Sequence, residues 1–227
     1  MDIGKSLSYV FEDKRWFTKL ILGLVISLVP ILNFAWAGYA TKVVGNVEKG
    51  EQEPLPEWDE FGEKFLWGLY FFIAGFVYSL PIIILTVIFI VPAVFASESE
   101  TWTNILIGSS IVYACVIGVY ALVLSFFFPG ANINLARKGT FGSLFQIGEI
   151  IKIFSTNTGP YFIAWVMTLI LGLVISVVVG LVAGALQFIP CLGQVASLVI
   201  LGLGSVYSSV VYAHLFGQAA AKQSLPA

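Results

Sequence analysis

Four stretches of this chain, 65–96, 105–128, 161–188 and 195–216, run for more than twenty residues each without one Asp, Glu, Lys or Arg. A helix rises about 1.5 Å per residue and a bilayer's hydrocarbon is about 30 Å thick, so roughly twenty apolar residues make one crossing. In lipid every backbone N–H and C=O must find a partner within the protein, which a helix supplies from its own turn. Each stretch therefore reads as a transmembrane helix. Charged residues are 11% of the 227-residue chain against about 25% in soluble domains, and the apolar runs leave no room for a separate soluble domain.

Two places leave the span count open. The run at 65–96 exceeds one crossing and carries Pro81 at its middle, where a helical hydrogen bond is lost. The expected form is one long, tilted or kinked helix, with two short segments broken at Pro81 as the alternative. The segment 17–44 is long enough for one span or for two half-length helices, but not for two full spans. Crossing once, it would give five spans with basic residues on both faces. Entering and returning at Pro30-Ile31-Leu32-Asn33, it puts Lys5, Lys14, Arg15, Lys19, Lys42, Lys49, Lys64, Arg137, Lys138, Lys152 and Lys222 on one face, and none on the face of 97–104 and Pro190. Cytoplasmic loops carry the excess of Lys and Arg. The expected fold is thus all-α: an integral membrane helical bundle of four full spans plus an N-terminal re-entrant hairpin, with five to six spans as the alternative and both termini cytoplasmic at the cell membrane.

Three amphipathic stretches introduce the apolar runs and are expected to lie in the interface. They occupy 1–16 (Ile3, Leu7, Val10, Phe11), the end of the loop 45–64 (Trp58, Phe61, Phe65) and 139–155 (Phe141, Leu144, Phe145, Ile151, Phe154). Trp16, Trp58, Trp67, Trp102 and Trp165 fall near segment ends, at headgroup level; Trp36 fits neither topology. Basic residues before the first apolar run imitate a signal peptide, but Glu12 and Asp13 interrupt them and the segment is expected to be retained. Val29-Pro30-Ile31-Leu32-Asn33 is echoed by Ile189-Pro190-Cys191-Leu192-Gly193. This is either a chance likeness or the trace of a duplication of the kind transporters carry.

Residues for chemistry are few. Intramembrane charges mark proton and ion paths, and this chain's aspartates, Asp2, Asp13 and Asp59, all lie outside the spans. His214 is the single histidine, near the cytoplasmic end of the last span, so no Ser/His/Asp set, His-Glu-x-x-His motif or deep metal site can be assembled. No metal, cofactor or catalytic residue is expected, and no enzyme. A net charge of -2 without a Lys/Arg run excludes a nucleic-acid partner. Cys115 and Cys191 lie at different depths and are expected to stay unpaired.

The candidate interaction residues are in three places. Seven acids between Glu48 and Glu63, with Glu57, Trp58 and Asp59 at their centre, suit a cation or a basic partner, or are a solvated face. Asn132, Asn134 and Arg137 follow Pro129 directly after a span; they suit a lipid phosphate, or satisfy backbone freed by the proline. His214 suits a cap or an interfacial contact. Gly180 and Gly184 form a Gly-x-x-x-Gly, with Gly204 and Ser208 repeating the spacing, for close helix packing within the bundle or in a homodimer.

The opening Met1-Asp2-Ile3-Gly4-Lys5-Ser6-Leu7-Ser8-Tyr9-Val10-Phe11-Glu12-Asp13, the string Leu55-Pro56-Glu57-Trp58-Asp59, Phe128-Pro129-Gly130-Ala131 and Ala213-His214-Leu215-Phe216-Gly217-Gln218 together resemble an uncharacterised family of prokaryotic membrane proteins, domain-of-unknown-function family 4013. The resemblance implies a bacterial or archaeal cell membrane and brings no activity, substrate or catalytic residue. The expected function is a non-catalytic membrane subunit, scaffold or lipid-organising component, with membrane lipids and a membrane protein or second copy as partners. The alternative is a small transporter or channel for an uncharged or lipid-like solute, which would need a polar cavity lined by Asn33, Ser79, Thr86 or Ser176.

Overall fold

A computed structural model describes residues 1–95 and 100–221, with the side chains of 90–108 excepted. The regular structure among the described residues is all helical: α1 (Ile3–Ser8), α2 (Trp16–Leu28), α3 (Asn33–Lys49), α4 (Phe61–Phe95), α5 (Glu100–Lys138), α6 (Ile147–Thr156), α7 (Thr158–Leu186) and α8 (Leu192–Ala221), with 3-10 turns at Tyr9–Glu12 and Phe141–Phe145. Four of them, α4, α5, α7 and α8, are long and apolar enough to cross a membrane. The expected all-α membrane bundle is the fold observed. Part of the connection 97–104, the side chain of Trp102 and the tail with Lys222 lie outside the described residues.

The chain forms two compact units, Phe72–Pro129 and the remainder, Met1–Phe71 with Gly130–Ala227. In the smaller unit α4 runs unbroken through Pro81. Its seam with α5 is built from hydroxyls and rings. Tyr120 donates to the Tyr78 carbonyl at 2.8 Å, the Thr86 and Tyr113 hydroxyls meet at 2.7 Å, and Phe89 stacks on Tyr113 at 4.5 Å. Outward lie large apolar side chains such as Ile88, Ile111 and Val119, as lipid-facing surface requires.

In the larger unit α2 and α3 form a helical hairpin. With 13 residues α2 is about 20 Å long, short of a crossing. The chain reverses at the expected Pro30, with Ile31 at φ 73°. A β-branched residue rarely adopts this left-handed conformation. The echo at 189–193 shares the feature: α7 and α8 are joined through Pro190 with Cys191 at φ 60°. Both tips are apolar and exposed, Ile31 at 65% and Phe188 at 89%.

Glycines set the closest approaches. A Cβ on Gly38 of α3 would overlap the Lys64 carbonyl, and one on Gly68 of α4 the Phe34 carbonyl. A Cβ on Gly217 of α8 would sit 2.9 Å from the Val44 carbonyl, and one on Gly204 2.8 Å from Val179. Gly180 and Gly184, by contrast, face open space within 4 Å. Among the described residues, packing within the bundle accounts for Gly204 but not for that pair.

Three boundaries differ from expectation. The expected span 105–128 continues through Pro129 as α5 to Lys138, where Gly139 (φ 64°) closes it by donating to the Leu135 carbonyl at 2.7 Å. Pro129 forfeits one bond, and the fully buried Ala131, Ile133 and Leu135 hold the last turns. The interfacial stretch 139–155 divides into the 3-10 turn and α6, because Asn134 donates to the Ser143 carbonyl at 2.8 Å and Lys138 bonds Gln146, pinning the chain before α6 starts. The stretch 1–16 divides likewise into α1 and the turn Tyr9–Glu12, ending at the extended Asp13.

Candidate functional site

The polar residues of the larger unit gather in three clusters. The first ties α1 to the end of α8. The Gln218 side chain pairs with the peptide group of Asp2: Oε1 accepts from its N–H at 2.7 Å and Nε2 donates to its C=O at 2.9 Å. This fixes the orientation of the amide, so Nε2, which only donates, also faces His214 Nδ1 at 3.0 Å. The same Nε2 lies equally close to Ser6 Oγ, at 3.0 Å. Ser6 Oγ lies 2.9 Å from the same Nδ1. Tyr9 stacks on the imidazole at 4.1 Å and donates to the Val210 carbonyl at 2.9 Å. Burial pushes the Tyr9 phenol well above its ordinary value, with the neighbouring Tyr39 and Tyr207 adding to the shift.

Ser6 and His214 have the spacing of a nucleophile and its base. Ser6 is nonetheless 0% exposed and enclosed by the Asp2 carbonyl and Gln218, so its hydroxyl serves as a structural tie.

The second cluster is centred on a buried lysine at the foot of the hairpin. Lys19, 3% exposed, sends Nζ to the Asp13 carboxylate at 2.6 Å, to the Leu55 carbonyl at 2.8 Å and to Glu57 at 2.9 Å. Glu57 also accepts from Arg15 at 2.6 Å. Trp58 donates to the Lys19 carbonyl at 3.0 Å and stacks on Tyr39 at 4.7 Å; Trp36 stacks beside Tyr39 and donates to Ser209 Oγ at 2.9 Å. Trp36, which sequence reasoning left unplaced, thus belongs to an aromatic stack. Asp59 offers its backbone carbonyl, and more distantly its carboxylate, to the fully buried Lys64. The string Leu-Pro-Glu-Trp-Asp is the strap that covers these two lysines.

The third cluster holds the end of α5. Thr41 donates to Asn132 Oδ1 at 2.7 Å, Asn134 holds the Ser143 carbonyl, and Arg137 Nε reaches Glu48 at 2.8 Å. The acids of the 48–63 run are likewise mostly paired. Besides Glu48 and Glu57, Glu63 accepts from Lys42 at 2.6 Å with Glu60 at 3.4 Å. Glu51 and Glu53 are exposed, without a side-chain partner among the described residues. No group of three or more His, Cys, Asp or Glu is arranged to hold a metal among the described residues.

The seven candidate residues therefore divide among these clusters: Glu57, Trp58 and Asp59 in the second, Asn132, Asn134 and Arg137 in the third, His214 in the first. Sequence reasoning did not single out Lys19, Asp13, Thr41 or Ser6. A lysine and an aspartate six residues apart at the edge of an apolar run were the available signal. Two hollows accompany the clusters. One, about 500 Å³, lies between α1, the segment after α3 and the end of α8, and is lined by charged and polar groups. The other, about 340 Å³ between α7 and α8, is apolar.

The model of a family described as a protein of unknown function, DUF4013, matches residues 21–184. No curated protein and no solved structure matches the chain.

Proposed function

Starting from the fact that the chain belongs to the DUF4013 family, we propose that it is a non-catalytic component of a prokaryotic cell membrane, a scaffold or subunit that organises lipid or a protein partner at the cytoplasmic surface. In this reading α4, α5, α7 and α8 cross the bilayer, the α2–α3 hairpin enters and returns, and both termini face the cytoplasm. The carrying observation is that the polar side chains of α1, the 50–60 strap and the ends of α5 and α8 are spent on contacts inside the protein: α1 bonds to the end of α8, the 50–60 strap to Lys19, Lys42 and Lys64, and the end of α5 to Thr41, Glu48 and Ser143. Those contacts join segments as far apart as Asp2 and Gln218. Such a layer is rigid and offers its outer face, not its interior, to other molecules.

Two further features support a scaffold over a solute path. The hydroxyls of Ser79, Thr86 and Ser176 each donate to a carbonyl four residues back on their own helix, and Asn33 is exposed on the hairpin tip. The hollow between α7 and α8 is apolar, whereas recognition of a solute calls for convergent polar groups. The test is purification of the full chain from its native membrane in nanodiscs, with mass spectrometry of what stays bound, and solute-uptake assays on proteoliposomes of the purified chain. A stoichiometric protein or a fixed lipid complement, with no uptake, is the expected result; saturable uptake by the chain alone would contradict it.

A further inference from the structure

We infer that the corner where the 3-10 turn Tyr9–Glu12 meets the start of α2 is a docking surface for an anionic phospholipid, with Lys14 and Arg15 on its phosphate and Phe11 and Phe17 against its chains. The inference rests on the membrane placement proposed above and names the lipid. In that placement Arg15, the residue before α2, stands where the hairpin enters the bilayer. Both cations are then at headgroup level, on the side whose leaflet carries anionic lipid. Phe11 and Phe17 are 54% and 61% exposed. Trp16 joins them edge-on, 5.0 Å from Phe11 and 5.6 Å from Phe17. Phe11 also lies 5.9 Å from Tyr207, whose hydroxyl donates to the Leu7 carbonyl at 2.8 Å. The aromatic corner is thereby fixed to α8, with two of its rings left uncovered.

The charges at this corner do not cancel. Lys19 is taken up by Asp13, Glu57 and the Leu55 carbonyl, and Glu12 by Lys5 at 2.5 Å. Lys14 is exposed, without a carboxylate partner among the described residues. Lys14, Arg15 and Lys19 thus stand against Asp13 and Glu57, which leaves one positive charge in excess. The Arg15 side chain is 67% exposed and meets Glu57 through a single amino group at 2.6 Å. Glu57 therefore steadies the guanidinium while its other N–H groups stay available, and a guanidinium pairs a phosphate through two parallel N–H bonds. Lys14 adds a point charge beside it. Free phosphate would meet the same two cations, but only a lipid also covers the exposed Phe11 and Phe17. A zwitterionic headgroup brings its own ammonium to a corner already in excess of positive charge and gains less. The occupant is thus a lipid whose phosphate is its only headgroup charge, as in phosphatidylglycerol.

The experiment is a titration of the delipidated full chain with phosphatidylglycerol, phosphatidylethanolamine or phosphatidylcholine of identical acyl chains, followed by native mass spectrometry. Glycerol phosphate is a fourth, soluble arm. One saturable site for phosphatidylglycerol is expected, at least five-fold tighter than for the other two lipids. Lys14→Gln combined with Arg15→Gln should bring that ratio close to one, and both side chains are exposed, so the fold is kept. Lys49→Gln combined with Lys152→Gln removes as much charge from exposed positions elsewhere and is expected to leave the ratio unchanged. Equal retention of the three lipids by the wild type, or an equal fall in the ratio for the two double variants, overturns the inference. Glycerol phosphate binding as tightly as phosphatidylglycerol overturns the lipid assignment. Labelling of a cysteine at Gln52 in spheroplasts and inverted vesicles separates this inference from the placement beneath it. Cytoplasmic labelling without lipid selectivity removes this inference alone, whereas labelling from the opposite face removes the placement on which it rests.

Discussion

Gln218 holds the peptide group of Asp2 from both sides, accepting its N–H at 2.7 Å and donating to its C=O at 2.9 Å across 216 residues of sequence. The N-terminal helix is thereby closed onto the last span. Gln218→Ala removes both bonds and the donor that faces His214. Each such bond contributes about 1 kcal/mol net, and α1 has only six residues, too few to persist undocked. Hydrogen exchange over residues 3–12 is expected to rise at least ten-fold while exchange in α7 is unchanged. Uniform exchange across the chain would show that the tie is not local.

The pair Lys19–Asp13 tests a different energy balance, because both side chains are 4% exposed. Removing one partner leaves a buried charge, which costs about 3–5 kcal/mol, whereas replacing both with apolar groups of similar size is often near neutral. Lys19→Met and Asp13→Asn are each expected to lower the unfolding temperature of the detergent-solubilised chain sharply. The double variant should recover much of the loss, though not all, since Glu57 and the Leu55 carbonyl also lose a partner. Thermal denaturation of the four proteins gives the cycle, and additive losses would contradict a coupled pair.

Much of this architecture was legible beforehand because membrane burial writes itself into local sequence. The four spans follow from unbroken apolar length, and the hairpin reversal from Pro30 between two half-length runs. Less legible was everything that depends on pairs distant in sequence. Nothing near His214 announces Ser6, and nothing near Thr41 announces Asn132. Pro129 read as a terminator because its local penalty is visible in sequence, while the burial of Ala131, Ile133 and Leu135 that overrides it is tertiary. The echo of Pro30 in Pro190 was visible as letters; the shared left-handed residue after each proline is a backbone property that Ile and Cys do not advertise.

The glycines offer the same substitution with opposite outcomes. Gly38→Ala puts a methyl group into the Lys64 carbonyl, so α3 and α4 must separate. Several kcal/mol of destabilisation and poor recovery of folded protein are expected. Gly180→Ala with Gly184→Ala meets open space and is expected to leave thermal stability of the monomer unchanged or slightly raised, since alanine favours the helix by about 1 kcal/mol over glycine. A loss of monomer stability in the double variant would contradict the packing described.

Alkaline pH probes the docking of α1. Burial holds the Tyr9 phenol above its ordinary value of 10.0, so the folded protein favours the neutral form. The linked stability is fully present below pH 10 and declines as pH rises from there toward the folded-state value. Tyr9→Phe keeps the ring on His214 but removes the titration and the bond to Val210, at a cost of about 1 kcal/mol. The variant should be the less stable protein at pH 8 and should close the gap above pH 10, read by thermal unfolding at each pH. A gap that stays constant across the range would contradict a buried, neutral Tyr9.

The central proposal is that α1, the acidic strap and α6 all lie on the cytoplasmic side, with the α2–α3 hairpin returning to the side it entered. It is tested by single cysteines at Lys14, Gln52, Glu149 and Phe188 in a background with Cys115 and Cys191 replaced, labelled with a membrane-impermeant maleimide in intact spheroplasts and in inverted vesicles. The account expects positions 14, 52 and 149 to label in inverted vesicles only and position 188 in spheroplasts only. Labelling of 14 and 52 from opposite faces would show that 17–44 crosses the membrane, and would contradict it.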